Sequence, residues 1–285
     1  MASASPSRHK PDPRINPWRD DLAAEHLRGE VDAPRFVSGR DMQVCAPVTA
    51  LRRSPAHGAM QDSQLLFGEV FRVYDRKGAW AWGQAQSDDY VGYVLAEDLD
   101  AVETSTHGVS ALRTFIYTDA DIKSRPLMVV SLGARLNVVD TRPDFVELSD
   151  GAFVFDKHVA PLGSFRDDYI AVAREFIGTP YLWGGRESLG LDCSALVQIA
   201  LTQCGHACPR DSDMQEQVLG TAVDHAQRGD LVFWKGHVGL ISEDDCLLHA
   251  NAYSMSVIEE DFAIACKRIE GTAGPVRVIK RLDEA

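Results

Sequence analysis

No window of the chain is continuously apolar over the roughly 18 residues that a membrane-spanning helix requires. The amino end, Met1 to Arg19, runs through Ser, Pro, Arg and Lys without the apolar core of a secretory signal. A soluble, cytoplasmic protein with no membrane partner is therefore expected. Positive charge is scarce: 29 Lys and Arg stand against 42 Asp and Glu, for a formal net charge of -13. The summed field repels phosphate backbones, so nucleic acid is not expected as a ligand. Cysteine is sparse too. The six, Cys45, Cys193, Cys204, Cys208, Cys246 and Cys266, are scattered over 285 residues rather than crowded into a disulfide framework. In a reducing compartment most should be buried small hydrophobes, leaving one in a special microenvironment to react. Core-forming residues are not lacking: 45% hydrophobic and 25% charged are globular proportions, and the length allows two or three folded units.

Four segments follow from the patterning. Residues 1-37 form a polar, Pro-rich arm with one amphipathic helical piece expected over Pro17–Leu27. Residues 38-102 hold short alternating segments such as Val70–Tyr74 and Tyr90–Leu95 between Gly, Asp and Pro, the pattern of strands and turns. Residues 103-163 echo them faintly: Ala50-Leu51-Arg52 recurs as Ala111-Leu112-Arg113, and Gly68 to Val73 recurs as Gly133 to Val138. Each repeat has the scale of a small antiparallel barrel. From 164 to 285 the period changes. Helices are expected over Asp167–Ile177, stopping at Gly178, over Ser194–Leu201 with Asp192 near its start, and over Asp213–Leu219. Strands are expected at Leu231–Trp234, His237–Ser242, Leu247–Ala250 and Val276–Ile279. The fold class is α+β.

Cys193 falls at the first turn of the second helix, where unpaired N–H groups and the helix dipole favour an anion and should lower a thiol pKa. A buried, inert cysteine is the competing reading of any single Cys. His237 follows the Leu231–Trp234 strand, so a turn at Lys235-Gly236 would present it at a strand end. His249 ends the next strand and could hold the first imidazole in one tautomer. Nucleophile, base and orienter together make a set that no member makes alone. Cys204-Gly205-His206-Ala207-Cys208 offers soft ligands without a second pair, which reads better as a helix end than as a zinc site, so no metal and no cofactor is expected. Gly78 to Gly83, with Trp80 and Trp82, reads as β core rather than a carbohydrate platform.

These segments resemble the NlpC-type cell-wall peptidases, whose fold is a papain-like α+β unit. Thr179 to Gly185 with Leu191-Asp192-Cys193-Ser194 is similar to the nucleophile segment, Arg228 to Trp234 with His237-Val238-Gly239 to the base segment, and His249-Ala250-Asn251 to the third catalytic position. Ala195 departs from the Gly usual there. The β units resemble the bacterial SH3-like domains that precede this peptidase in some members. The resemblance thus implies two small SH3-like β-barrels followed by a papain-like catalytic domain. It implies cleavage between γ-D-glutamate and a diamino acid, meso-diaminopimelate or L-lysine, in small wall peptides with a free amino-terminal L-alanine. Tyr181 and the Cys193 N–H would receive the oxyanion. Asp192 would face the substrate ammonium or cap its helix; Ser194 belongs to the same segment. Arg210 with Ser212 would bind the D-glutamyl part, or simply cap a short helix. Glu69 and Tyr90 of the first β unit would meet the substrate amine, with Asp88 and Asp89 as alternatives. An acyltransferase or amidase on another amide remains open at this point, as does a binding module with an incidental thiol. The oligomeric state is not readable.

Overall fold

A computed structural model describes residues 10–243 and 245–283; the first nine residues of the arm lie outside this description. Among the described residues no helix is long and apolar enough to cross a membrane.

The arm corrects one expectation. Pro17–Leu27 is not a helix: Trp18–Arg19 and Leu22–Ala24 are strands, followed by a single 3-10 turn at Glu25–Leu27. Leu22, Ala23 and Ala24 are all fully buried, whereas a surface helix buries a stripe and exposes the residues between. The N–H groups of Ala23 and Ala24 find acceptors on Arg35 and Pro17, outside any helical ladder. Arg19 lies over the Trp82 ring at 4.6 Å and so ties the arm to the first β unit.

The first β unit is a seven-stranded sheet in the order Leu99–Asp100, Arg40–Val44, Val70–Lys77, Trp80–Ala85, Val91–Leu95, Val48–Arg52 and Gln61–Leu66. Alternation works as expected: Leu51, Phe71, Val94 and their neighbours point into one core. The second unit has a five-stranded and a three-stranded sheet around Ile116, Val130, Leu136 and Val154. The expected barrels do not close. The Gln61–Leu66 edge turns to other partners instead, with Leu66 buried in the second unit's core and Gln64 bonded to Arg186 of the third.

The third unit is a six-stranded antiparallel sheet in the order Thr221–Val223, Val278–Arg281, Leu231–Trp234, His237–Glu243, Cys246–Asn251 and Ser256–Asp261. Helices α1 (Tyr169–Arg174) and α2 (Cys193–Gln203) pack on one face through Ile170, Leu196, Val197 and Leu201 against Phe233, Val238, Leu240 and Leu248. After the short helix α3 (Ser212–Val218), helix α4 (Phe262–Ala273) covers the opposite face with Ala265 and Ile269 against Trp234, Ile241 and Leu247. A sheet covered on both faces explains why its central strands read as continuous apolar runs.

Candidate active site

Helix α2 begins at Cys193 because Asp192 caps it. Its Oδ1 accepts the Ala195 N–H at 2.9 Å, and its Oδ2 accepts the Gly184 N–H at 2.9 Å. The cap is held by Arg210, each of whose N–H donors is engaged. Nε meets Ser63 Oγ (3.0 Å), Nη1 meets Asp192 Oδ1 (3.0 Å) and Ser194 Oγ (2.9 Å), and Nη2 meets Asp192 Oδ2 (2.7 Å) and Gly185 O (3.3 Å). Arg210 is 1% exposed. The role expected for it on a substrate carboxylate is therefore corrected: it fixes the start of α2. Asp192 caps, Ser194 bonds inward to both, and Ser212, the first residue of α3, is partly exposed. Ala195 is completely buried, so the extra methyl is accommodated in the core.

Cys193 is 7% exposed, and the N–H groups of Val238 and Ser194 act on its sulfur. Burial, followed by the Asp192 charge, pushes the thiol up to about 12. That reverses the lowering expected from the helix start alone: the sulfur is too dry for the dipole to win. His237 sits at the tip of the Trp234↔His237 hairpin pair, where Gly236 takes φ +73°. Its Nε2 lies 2.8 Å from His249 Nδ1, so its Nδ1 is not the nitrogen engaged with that ring. Burial and the neighbouring His249 and Arg268 push His237 down to about 3, with Glu260 opposing. The resting pair is thus thiol and neutral imidazole. Burial, followed by the neighbouring Cys193 and Asp192, raises the Tyr181 phenol. The first-turn N–H of Cys193 has no partner inside the helix ladder.

Glu69 is not at the site's surface. It is 3% exposed, its Oε2 takes Arg186 Nη1 at 2.7 Å and the Leu66 N–H at 2.8 Å, and its Oε1 takes Arg186 Nη2 at 2.8 Å. Burial alone would raise this carboxyl; the Arg186 guanidinium outweighs it and holds it below the ordinary carboxylate range. The expected contact with a substrate amine is corrected to a structural ion pair between the first unit and the third. Tyr90 instead donates to Asp211 Oδ2 at 3.0 Å, and Asp211 also pairs with Arg14 of the arm at 2.8 Å. Asp88 accepts the Gln198 amide and the Tyr90 N–H.

Sequence reasoning missed Glu260, Arg186 and Arg14, and it quoted Asn251 and Asp211 within their segments without giving either a role of its own. Glu260 was hidden in the acidic run Glu259-Glu260-Asp261, which reads as solvated surface; only the strand pairing puts it beside His249. A cavity of about 340 Å³ lies between the units, lined by Leu66, Ser110, Leu132, Arg186 and Gln198; Cys193 and both histidines are outside it. Among the described residues no group of three or more His, Cys, Asp or Glu side chains is placed to hold a metal ion.

Residues 178–266 match the NlpC/P60 family, and residues 51–99 match the bacterial dipeptidyl-peptidase Sh3 domain. The chain carries an NlpC/P60 domain of the cysteine-peptidase type. It is 26% identical over 231 residues, 69% of each chain, to the gamma-D-glutamyl-L-lysine dipeptidyl-peptidase of Bacillus cereus. It is 35% identical over 99 residues to dipeptidyl-peptidase 6 of Lysinibacillus sphaericus, an alignment that spans only 35% of that protein. A crystal structure of an NlpC/P60 family protein from Bacillus cereus superposes with a TM-score of 0.74 at 20% identity, covering 85% of this chain and 99% of the other, which shows the shared fold. The NlpC/P60 match encloses Cys193, His237 and His249, and the Sh3 match encloses Tyr90 and Glu69.

Proposed function

We propose that the protein hydrolyses the bond between γ-D-glutamate and a diamino acid, meso-diaminopimelate or L-lysine, in small wall-derived peptides, in the course of cell-wall recycling in the cytoplasm. The observation that carries this reading is the series of buried Cys193 at a capped helix start, half-buried His237, and buried His249 hydrogen-bonded to His237 at 2.8 Å. As Cys193 Sγ attacks the γ-carbonyl, its proton passes to His237 Nδ1. That proton then goes to the departing amine, and the C–N bond breaks to leave a thioester. Water, deprotonated by the same nitrogen, attacks the thioester and returns the thiol. Tyr181 Oη and the Cys193 N–H receive the developing oxyanion.

We further propose that the second β unit is also SH3-like, because the turn glycines Gly68 and Gly133 recur with φ +79° and +90°. The requirement for a free amino terminus is assigned to Tyr90 with the carboxylates that act on it, Asp211 and Asp62, in place of Glu69. The test is incubation with L-Ala-γ-D-Glu-meso-diaminopimelate and its L-lysine counterpart, with fragments identified by mass spectrometry. Release of the diamino acid by the wild type and none by Cys193→Ala is expected; an intact peptide, or an acyl group moved to another acceptor, overturns the reading.

A further inference from the structure

His249 Nε2 has two neighbours that want opposite things from it. Glu260 Oε1 lies 2.8 Å away and can only accept a hydrogen bond; Asn251 Nδ2 lies 3.0 Å away and can only donate one. The asparagine cannot turn its oxygen inward, because that oxygen accepts from both Ser254 N and Ser254 Oγ at 2.8 Å. One ring nitrogen satisfies one of the two. Arg268 decides between them. Its Nη1 meets Glu260 Oε2 at 2.6 Å and its Nη2 meets Oε1, so the carboxyl is held ionised. Arg268 is itself stacked on the Tyr253 ring at 4.5 Å. Two bare lone pairs at 2.8 Å would repel, whereas a hydrogen bond to a charged acceptor is about twice as strong as a neutral one.

We propose that Glu260, clamped by Arg268, is a positioning residue that fixes the tautomers of both histidines. With the Nε2 proton of His249 directed at Glu260, His249 Nδ1 is left bare. It must then accept the Nε2 proton of His237 across 2.8 Å, which leaves His237 Nδ1 bare and able to take a proton from Cys193. If Asn251 set the tautomer, every proton in the series would reverse and His237 would present an N–H to the thiol in place of a lone pair. The strand register supports the pairing: His249 lies opposite Ile258, and Glu260 follows on the same face, a diagonal neighbour within reach of a long side chain.

This inference rests on the assignment of His237 as the base, and its test separates the two. In protein labelled with 15N-histidine, long-range proton–nitrogen spectra near neutral pH should show both rings protonated at Nε2. Cys193→Ala should show the same, since no chemistry is needed. Glu260→Ala should move His249 toward the Nδ1–H form and lower kcat by roughly 10²-fold or more, with KM changing far less, because a wrong tautomer removes a transition-state role and leaves binding intact. Glu260→Asp should restore part of kcat. Asn251→Ala should leave the tautomers unchanged. Unchanged ring nitrogens in Glu260→Ala, or reversal in Asn251→Ala, overturns the proposal. Should Glu260→Ala not fold, the similarly sized Glu260→Met takes its place: its thioether is at best a weak acceptor for the His249 Nε2–H, so a single Nε2–H tautomer with wild-type kcat again overturns it. Full activity of His237→Ala would instead sink the base assignment, and the spectra would still judge Glu260.

Discussion

Burial acts on Cys193 and His237 toward one end, a neutral pair, by raising one pKa and lowering the other. In the proposed mechanism the thiolate therefore forms only when the imidazole accepts the proton, as the substrate carbonyl arrives. A small thiol-reactive probe should label Cys193 slowly near neutral pH, no faster than the exposed Cys45; labelling many times faster would show a resting thiolate instead. The histidine has a second consequence. Its pKa falls from 6.5 in the unfolded chain to about 3 in the folded one. Between those values the unfolded chain binds a proton that the folded one refuses, so stability falls as pH falls through that window, by about 1.4 kcal/mol per pH unit for one such group. Urea unfolding midpoints measured from pH 7 to pH 4 should fall less steeply in His237→Gln than in the wild type; equal slopes would show that the imidazole is not kept neutral by burial. The positions of Cys193, His237 and His249 were legible in the sequence because helix start, hairpin tip and strand end are local features. Their ionisation was not, because it depends on residues such as Val238, Arg268 and Glu260 that only the packed sheet brings near.

At the scale of elements, local signals told where helices stop and start. Asp168 and Asp192 cap α1 and α2 as expected, and Gly205 follows the last turn of α2 at φ +84°; α1 is shorter than expected, ending at Arg174 and running on in tighter turns to Gly178 at φ +86°. The strand Ser256–Asp261 and helix α4 escaped notice: an acidic run carries no alternation, and a helix with only Ala265 and Ile269 fully turned inward leaves a faint stripe. One turn has an effect beyond its own geometry. Gly184 takes φ +69°, donates to Asp192, and packs so tightly on the first β unit that a Cβ would lie 2.7 Å from Gln61 O. Gly184→Ala should cost about 1–3 kcal/mol from the left-handed backbone and the clash together. It should also reduce kcat/KM by pushing the first unit off the nucleophile segment. Gly151→Ala is the comparison, with φ +83° and open space around it: it should lose stability without losing activity. Equal thermal midpoints for the two variants, with equal kcat/KM, would mean that the contact at Gly184 carries nothing.

At the scale of the molecule, the units are joined by charge as well as by apolar packing. Arg14 links the arm to Asp211 and Asp213 of the catalytic unit, and Arg186 reaches from that unit into the first β unit to meet Glu69, Gln64 O and the Gln64 side chain. A glutamate between a turn glycine and a strand gave no hint in sequence that it would be buried under another unit, and that is why it read as a substrate contact. The two roles predict different behaviour. If Glu69 met the substrate amine, Glu69→Gln would narrow the preference for free over N-acetylated tripeptide and leave stability alone. As one half of a buried ion pair, its removal leaves the Arg186 charge dry and unpaired, which costs about 3–5 kcal/mol, whereas replacing both partners by apolar side chains of similar volume is near neutral. Glu69→Ala should therefore lower the unfolding free energy by that amount, and Glu69→Leu with Arg186→Met should recover most of it. Folded Glu69→Gln should keep the wild-type ratio of kcat/KM between the free and acetylated peptides, while Asp211→Asn or Asp62→Asn narrows it. A Glu69→Gln protein with wild-type stability and no preference for the free amine would return Glu69 to the substrate and remove the ion pair from the account of how the units are held together.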